Sequence, residues 1–203
     1  MSCIAIIPAR IGSSRIKKKN IKEFHGKPII AYSIETAKST GLFDEIVVST
    51  DDDEIGHIAK QYGAKIYRRP KALAEDDVGT LAVTKDAALF MYRQGYHAQY
   101  VCCIYATAPL MSAKDLIAGF DVITKQDCAH VISVGYPPLR DAGQWYWSRV
   151  FALALGVDYF DLTTIPIRIP NDRVCDINTL DDWQLAEEMY SKQQVTTRCG
   201  NVA

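Results

Sequence analysis

Short apolar runs alternate along this chain with stripes of helical period, and that alternation restricts the fold more than any other feature. The runs are Cys3–Pro8, Glu45–Ser49, Ala64–Tyr67, Tyr100–Ile104 and His130–Val134. Continuous apolar runs of this kind suit strands covered on both faces, as in parallel sheets. Between them, Ile55, Ile58, Ala59 and Tyr62 fall at i, i+3, i+4 and i+7, and Gly63 marks a stop. Leu81, Thr84, Ala88 and Met91 form a second stripe that ends near Gly95. Ser112 opens a third, through Leu116, Phe120 and Ile123. A last helix is expected from its cap, Thr179, through Trp183 and Ala186 to Tyr190, with a polar, fraying tail after Lys192. Strands that alternate with helices predict βαβ units, hence an α/β fold on a mostly parallel sheet.

Residues 135–161 break this rhythm. Pro137 and Pro138 interrupt regular structure, and Asp141-Ala142-Gly143 reads as a turn. Trp145, Tyr146 and Trp147 then form a dense aromatic patch, read as core or interface ahead of a sugar-stacking platform. No repeat, low-complexity stretch or linker divides the 203 residues, so a single domain over 1–203 is expected.

Net charge is −1, so no bulk field draws the chain to nucleic acid or to an anionic membrane. No apolar run approaches the ~20 residues that span a bilayer, and the first residues lack the pattern of a signal peptide. The six cysteines form no CxxC pair and no zinc spacing, and read as reduced, mostly buried residues of a cytoplasmic protein. His25, His57, His97 and His130 are scattered, and none accompanies a plausible nucleophile.

Local charge is another matter. From Arg10 to Lys22 there are six basic residues and no acidic one. The segment follows the first predicted strand, where open α/β sheets place their ligands. Gly12, Ser13 and Ser14 keep it small, so backbone N–H groups and hydroxyls can approach an anion. It is neither a Walker A loop nor a GxGxxG loop, since Gly12 stands alone. Lys17 to Lys19 by themselves would read as a solvated basic turn. Position, together with Arg10 and Arg15, points instead to a polyphosphate cradle.

The stretch Pro8 to Asn20, with Arg10, Gly12, Ser13, Arg15, Lys19 and Asn20, resembles the opening motif of the CMP-sialic acid synthetase family of cytidylyltransferases. Gly26 to Ile34, Ser49-Thr50-Asp51-Asp52, Arg68-Arg69-Pro70, Leu73-Ala74, Asp76, Thr80 and Tyr105 to Leu110 extend the likeness over nearly the whole chain. Asp141-Ala142-Gly143-Gln144 and the aromatics after it are similar to the family's pseudaminic branch. The resemblance implies a Rossmann-like three-layer α/β/α fold of the nucleotide-diphospho-sugar transferase type. It implies transfer of CMP from CTP to a nine-carbon sugar acid, with Mg2+ as cofactor, in a homodimer. Arg10, Arg15 and Lys19 would hold the triphosphate, with Gly12, Ser13, Ser14 and Asn20 beside them. Arg69 and Thr80 would lie near base and ribose. Thr107, Ala108 and Pro109 would shape the pocket floor, and Tyr105 and Gln144 would meet the sugar.

Two departures stand out. Where relatives carry two aspartates for the metal, this chain has Asp176 and Asn178, and an amide brings no charge. Both residues also suit the entry to the last helix. Relatives further carry a longer arm near 135–142, which serves the sugar and the dimer; here it is shortened or missing. Asp51 and Asp52 suit either the metal or the cap of the following helix. The alternatives are a sugar-1-phosphate nucleotidyltransferase, or a non-catalytic nucleotide-binding protein that has lost its arm and second metal aspartate.

Overall fold

A computed structural model describes residues 1–200, with side chains up to Val195. Its strands are β1 (Cys3–Pro8), β2 (Glu23–Phe24), β3 (Lys27–Pro28), β4 (Glu45–Thr50), β5 (Lys65–Arg68), β6 (Tyr100–Ile104), β7 (His130–Tyr136), β8 (Arg140–Arg149) and β9 (Ile165–Pro170). Its helices are α1 (Ile29–Ser39), α2 (Asp53–Gln61), α3 (Thr80–Arg93), α4 (Ala113–Lys125), α5 (Val150–Leu155) and α6 (Leu180–Gly200). All five expected runs are strands.

Seven strands form one sheet in the order β5-β4-β1-β6-β8-β7-β9. Every neighbouring pair is parallel except β6–β8 and β7–β8, so β8 alone runs against the rest. Side chains alternate across it with period two. Cys3, Ala5 and Ile7 of β1 meet Ile30 and Ile34 of α1, Ile55 of α2 and Leu116 of α4 on one face. Ile4 and Ile6 meet Ala87 and Met91 of α3 and Leu153 of α5 on the other. The result is a three-layer α/β/α arrangement. Helix α6 packs outside it, where Trp183 and Ala186 cover Phe24, Ile29 and Tyr32.

The β8 segment corrects the sequence reading. Asp141-Ala142-Gly143 is not a turn between elements but an irregular bend inside a ten-residue strand. The Gly143 N–H donates to Asp141 Oδ1 at 3.0 Å, and Gly143 takes φ +60°. These are the local marks of a turn, but the register shifts between Ile132 and Val134 of β7 and pairing resumes beyond. The connection from β7 to β8 is residues 137–139 alone.

Trp145, Tyr146 and Trp147 are at most 2% exposed, so the patch is core and not a sugar platform. Trp145 and Trp147 face α4, Trp147 Nε1 donating to the Leu116 carbonyl at 3.0 Å. Gly119 of α4 lies so near both rings that a Cβ there would stand 2.6 Å from Trp147 and 2.7 Å from Trp145.

The expected fraying after Lys192 is not found, since α6 continues to Gly200; residues 201–203 lie outside the described region. Thr179 does cap this helix. Its Oγ1 accepts from Asp182 N at 3.2 Å, while Asp182 Oδ2 accepts from Thr179 N at 2.7 Å. Cys3, Cys102, Cys103 and Cys128 are buried free thiols, and burial pushes Cys103 up to about 11. The Cys199 side chain lies outside the described residues.

Candidate active site

Strand order fixes where a ligand can sit. The chain leaves β1 for β4 and β5 on one side and returns to β6 on the other. The crevice beyond the C-terminal ends of β1 and β6 is therefore a topological switch point. A cavity of about 260 Å³ opens there, lined by residues following β1, β5 and β6 and by the start of α3.

One wall is the basic loop. Arg10, Ser13, Ser14, Arg15, Lys19 and Asn20 all face the cavity. Asn20 Nδ2 donates to the Arg10 carbonyl at 2.8 Å and folds the loop back on itself. Ile16, 2% exposed, anchors the middle of the loop under α6. Arg10 Nη1 donates to the Ala74 carbonyl at 3.1 Å, and its other terminal nitrogen pairs with Asp76. Lysines 17 to 19 divide. Lys17 is exposed, and Lys18 pairs with Glu54 at 2.5 Å, so those two are the solvated turn. Lys19 turns inward and donates to the Ile177 carbonyl at 2.6 Å. Burial holds its ammonium below the ordinary lysine value, against the pull of Asp176, while Arg15 and Arg10 lower it further.

The opposite wall carries Arg69, whose side chain is 3% exposed. Its Nε and Nη2 have no hydrogen-bond partner, and burial lowers its pKa although Asp51 opposes the shift. A buried guanidinium with open donors on a cavity is an unfilled anion or carbonyl site. Thr80 stands beside it at the start of α3, where no side chain caps the helix, so the positive end of the helix dipole faces the same space. Tyr105, Ala106 and Thr107 close the floor.

Eleven expected residues thus share one cavity: Arg10, Ser13, Ser14, Arg15, Lys19, Asn20, Arg69, Thr80, Tyr105, Thr107 and Asn178. Five do not line it. Gly12 lines an adjoining recess with Ser13, Ser14 and Glu75. Ala108 and Pro109 are buried beneath the floor, because the chain turns inward there to start packing against α4; Ala106 takes the place expected of them. Gln144 is 3% exposed, and its amide donates to the Arg173 carbonyl at 2.5 Å, so it ties β8 to the segment before α6 and does not face a sugar. Asp176 is exposed at the rim and accepts from Asn178 Nδ2 at 2.6 Å. The lining residues not singled out for a role are Pro8, Leu73, Val78, Val83 and Ala106, small or apolar residues with no chemical signature, and one acid, Glu75. Asp52 caps α2, accepting from Glu54 N and Ile55 N, whereas Asp51 accepts from Ile11 N at 3.3 Å and pins the loop.

A cationic crevice of this size at the switch point of a mostly parallel α/β sheet is a site for a ligand that carries several negative charges. Residues 4–155 match the family profile described as cytidylyltransferase. The pseudaminic acid cytidylyltransferase of Campylobacter jejuni subsp. jejuni serotype O:23/36 (strain 81-176) is 34% identical over 224 positions, covering 94% of this chain and 97% of that one. The N-acylneuraminate cytidylyltransferase of Escherichia coli O18:K1:H7 is 42% identical over 134 residues, 64% of this chain and 30% of that one. A solved CMP:2-keto-3-deoxy-manno-octonic acid synthetase complexed with CTP superposes with TM-score 0.75 at 14% identity, over 95% of this chain and 100% of that one, a likeness of fold. The chain belongs to the cytidylyltransferase family, with the pseudaminic acid and N-acylneuraminate enzymes among its relatives.

Proposed function

We propose that this protein joins CTP to a nonulosonic acid of the pseudaminic or sialic type, giving the CMP-sugar and pyrophosphate. The observation that carries the reading is the cavity itself, where four cations, Arg10, Arg15, Lys19 and Arg69, converge with Glu75 as the one acidic lining residue. Such a balance suits a ligand with several negative charges.

The anomeric hydroxyl of the sugar acid attacks the α-phosphorus. A P–O bond forms there, the bond to the bridging oxygen breaks with its electron pair leaving on pyrophosphate, and the hydroxyl proton passes to water. No covalent enzyme intermediate is needed, so the protein's part is alignment and charge stabilisation. Arg10, Arg15 and Lys19 hold the triphosphate and offset charge on the leaving pyrophosphate, with Ser13 and Ser14 donating hydrogen bonds. Arg69 and Thr80 meet base and ribose, and Tyr105 meets the sugar acid.

Mg2+ fits the oxygen donors at the rim. Asp176 offers a carboxylate, and the Asn178 carbonyl, a second hard ligand, would join it once Arg15 turns from it to phosphate. Bound there with phosphate oxygens, it would neutralise charge on the transferred group.

The arm is read as shortened within a single domain. The alignment to the Campylobacter relative uses 94% of 203 residues, about 191, over 224 positions, leaving about 33 that no residue here occupies. Exposed Phe151, Phe160 and Leu162 support a homodimer. No described helix is long and apolar enough to cross a membrane, in keeping with work on CTP in the cytoplasm.

The test is pyrophosphate release from CTP and Mg2+, with pseudaminic, sialic and 3-deoxy-octulosonic acids and a sugar 1-phosphate offered separately. Release with a nine-carbon acid is expected. Release only with sugar 1-phosphates would move the protein to another transferase class, and CTP binding without release from any acceptor would make it a binding protein.

A further inference from the structure

Asn178 stands between a cation and a carboxylate. Its Oδ1 accepts from Arg15 Nη2 at 3.1 Å, and its Nδ2 donates to Asp176 Oδ2 at 2.6 Å. Only one setting of the amide satisfies both contacts. Beside it, Lys19 Nζ holds the carbonyl of Ile177, the residue between the two.

The neighbouring carboxylate adds little. Asp182 Oδ2 already accepts from Asn178 N at 2.9 Å, Thr179 N at 2.7 Å and Thr179 Oγ1 at 2.9 Å, as part of the α6 cap. Among the described residues, no cluster of three or more His, Cys, Asp or Glu is arranged to hold a metal. A divalent cation approaching Asp176 in the free protein therefore meets one available carboxylate, an amide oxygen engaged by Arg15, and the fixed charges of Arg15 and Lys19. Hard divalent cations take six or more oxygen ligands, and their affinity follows ligand charge. A triphosphate reverses this balance, because it offsets both cations and brings oxygens of its own.

We propose that Asn178 is a positioning residue which holds Arg15 over the cavity and leaves Asp176 short of the charge needed to bind a divalent cation alone, so that the metal enters only together with the nucleoside triphosphate. This rests on reading the cavity as a triphosphate site. An aspartate at 178 would do the opposite. It would place a second carboxylate beside Asp176 and draw Arg15 into an ion pair.

The experiment is Mn2+ binding followed by water-proton relaxation, which separates protein-bound from nucleotide-bound metal, on folded wild type, Asn178→Asp and Asn178→Ala. Without nucleotide, wild type and Asn178→Ala are expected to bind Mn2+ on the order of tenfold more weakly than Asn178→Asp, in line with the added ligand charge. With CTP, wild type takes up the metal. Measured without metal, CTP affinity falls about tenfold in Asn178→Ala, which leaves Arg15 unheld, the size of one lost charge-assisted hydrogen bond. Equal Mn2+ affinity of free wild type and Asn178→Asp would overturn the proposal, as would unchanged CTP affinity in Asn178→Ala. Failure of CTP to bind wild type at all overturns the triphosphate reading and the coupled entry with it. That outcome differs from failure of the proposal alone, in which CTP binds normally.

Discussion

Arg69 Nη2 lies 3.7 Å from Asp51 Oδ1, an ion pair too long to be a hydrogen bond. The guanidinium is buried, and its open donors cost stability in the free protein. Arg69→Met should therefore raise the melting temperature by about 2–4 °C per kcal/mol recovered, while raising KM for CTP about tenfold or more. Calorimetry and initial rates measure the two effects. A variant that loses stability would show that Asp51 satisfies Arg69 well enough at that distance.

Lys19 gives a pH dependence with a definite sign. Its folded pKa lies below the ordinary value of 10.5, with burial the main cause. The free folded protein therefore releases this proton at lower pH than the unfolded chain does, and stability from this group rises as pH climbs towards 10.5. Triphosphate needs the charged form. CTP affinity should accordingly fall with rising pH, starting below the usual lysine range. Lys19→Arg should carry that alkaline limb upward, and calorimetric titration of CTP across pH would show it. An unmoved limb would assign it to another group.

Tyr146 donates to Asp141 Oδ2 at 2.5 Å, stacks on Tyr159 at 4.6 Å between ring centroids, and stands edge-on to Tyr105 at 5.6 Å. It thus braces the tyrosine on the cavity floor from behind. Tyr146→Phe should raise KM for the sugar acid severalfold and leave KM for CTP unchanged. Loss of both together would mean that the change deforms the whole floor.

Gly119→Ala sets a methyl group against two buried indoles. Overpacking of this sort costs about 1–3 kcal/mol, despite alanine's better helix propensity. The midpoint of thermal unfolding should fall by several degrees, with KM for CTP unchanged in the folded fraction. A stabilised variant would show that α4 can shift away from β8 at little cost.

How far these features were legible depends on whether their signal is local. The strands β1, β4 and β6 announce themselves because both faces are covered, which leaves uninterrupted apolar runs. The loop after β1 was equally plain, since six cations without an acid need no tertiary context. β8 was hidden because Asp141 and Gly143 make the local bond of a turn inside a strand that is paired on both sides. β9, Ile165–Pro170, escaped notice because it is an edge strand bearing prolines, which outweighed the alternation of Ile165, Ile167 and Ile169 with exposed neighbours. Gln144 looked like a polar reader of ligand. Its position past the bend turns it into the interior, and parity after an irregular bend cannot be read without the register. The roles of Asn178 and Asp176 were ambiguous for a similar reason, since one residue type serves a cap, a metal or an arginine equally well.

The contacts of Arg15 with Asn178 and of Lys19 with Ile177 join residues 163 and 158 positions apart. During synthesis at about 5–20 residues per second, the basic loop leaves the ribosome roughly 10–30 s before the residues that hold it. For that interval it is a cationic loop without these partners beside a polyanionic machine, and no nascent fragment shorter than Asn178 carries a complete cavity. The loop and the residues that hold it can close on one another only once Asn178 has been translated.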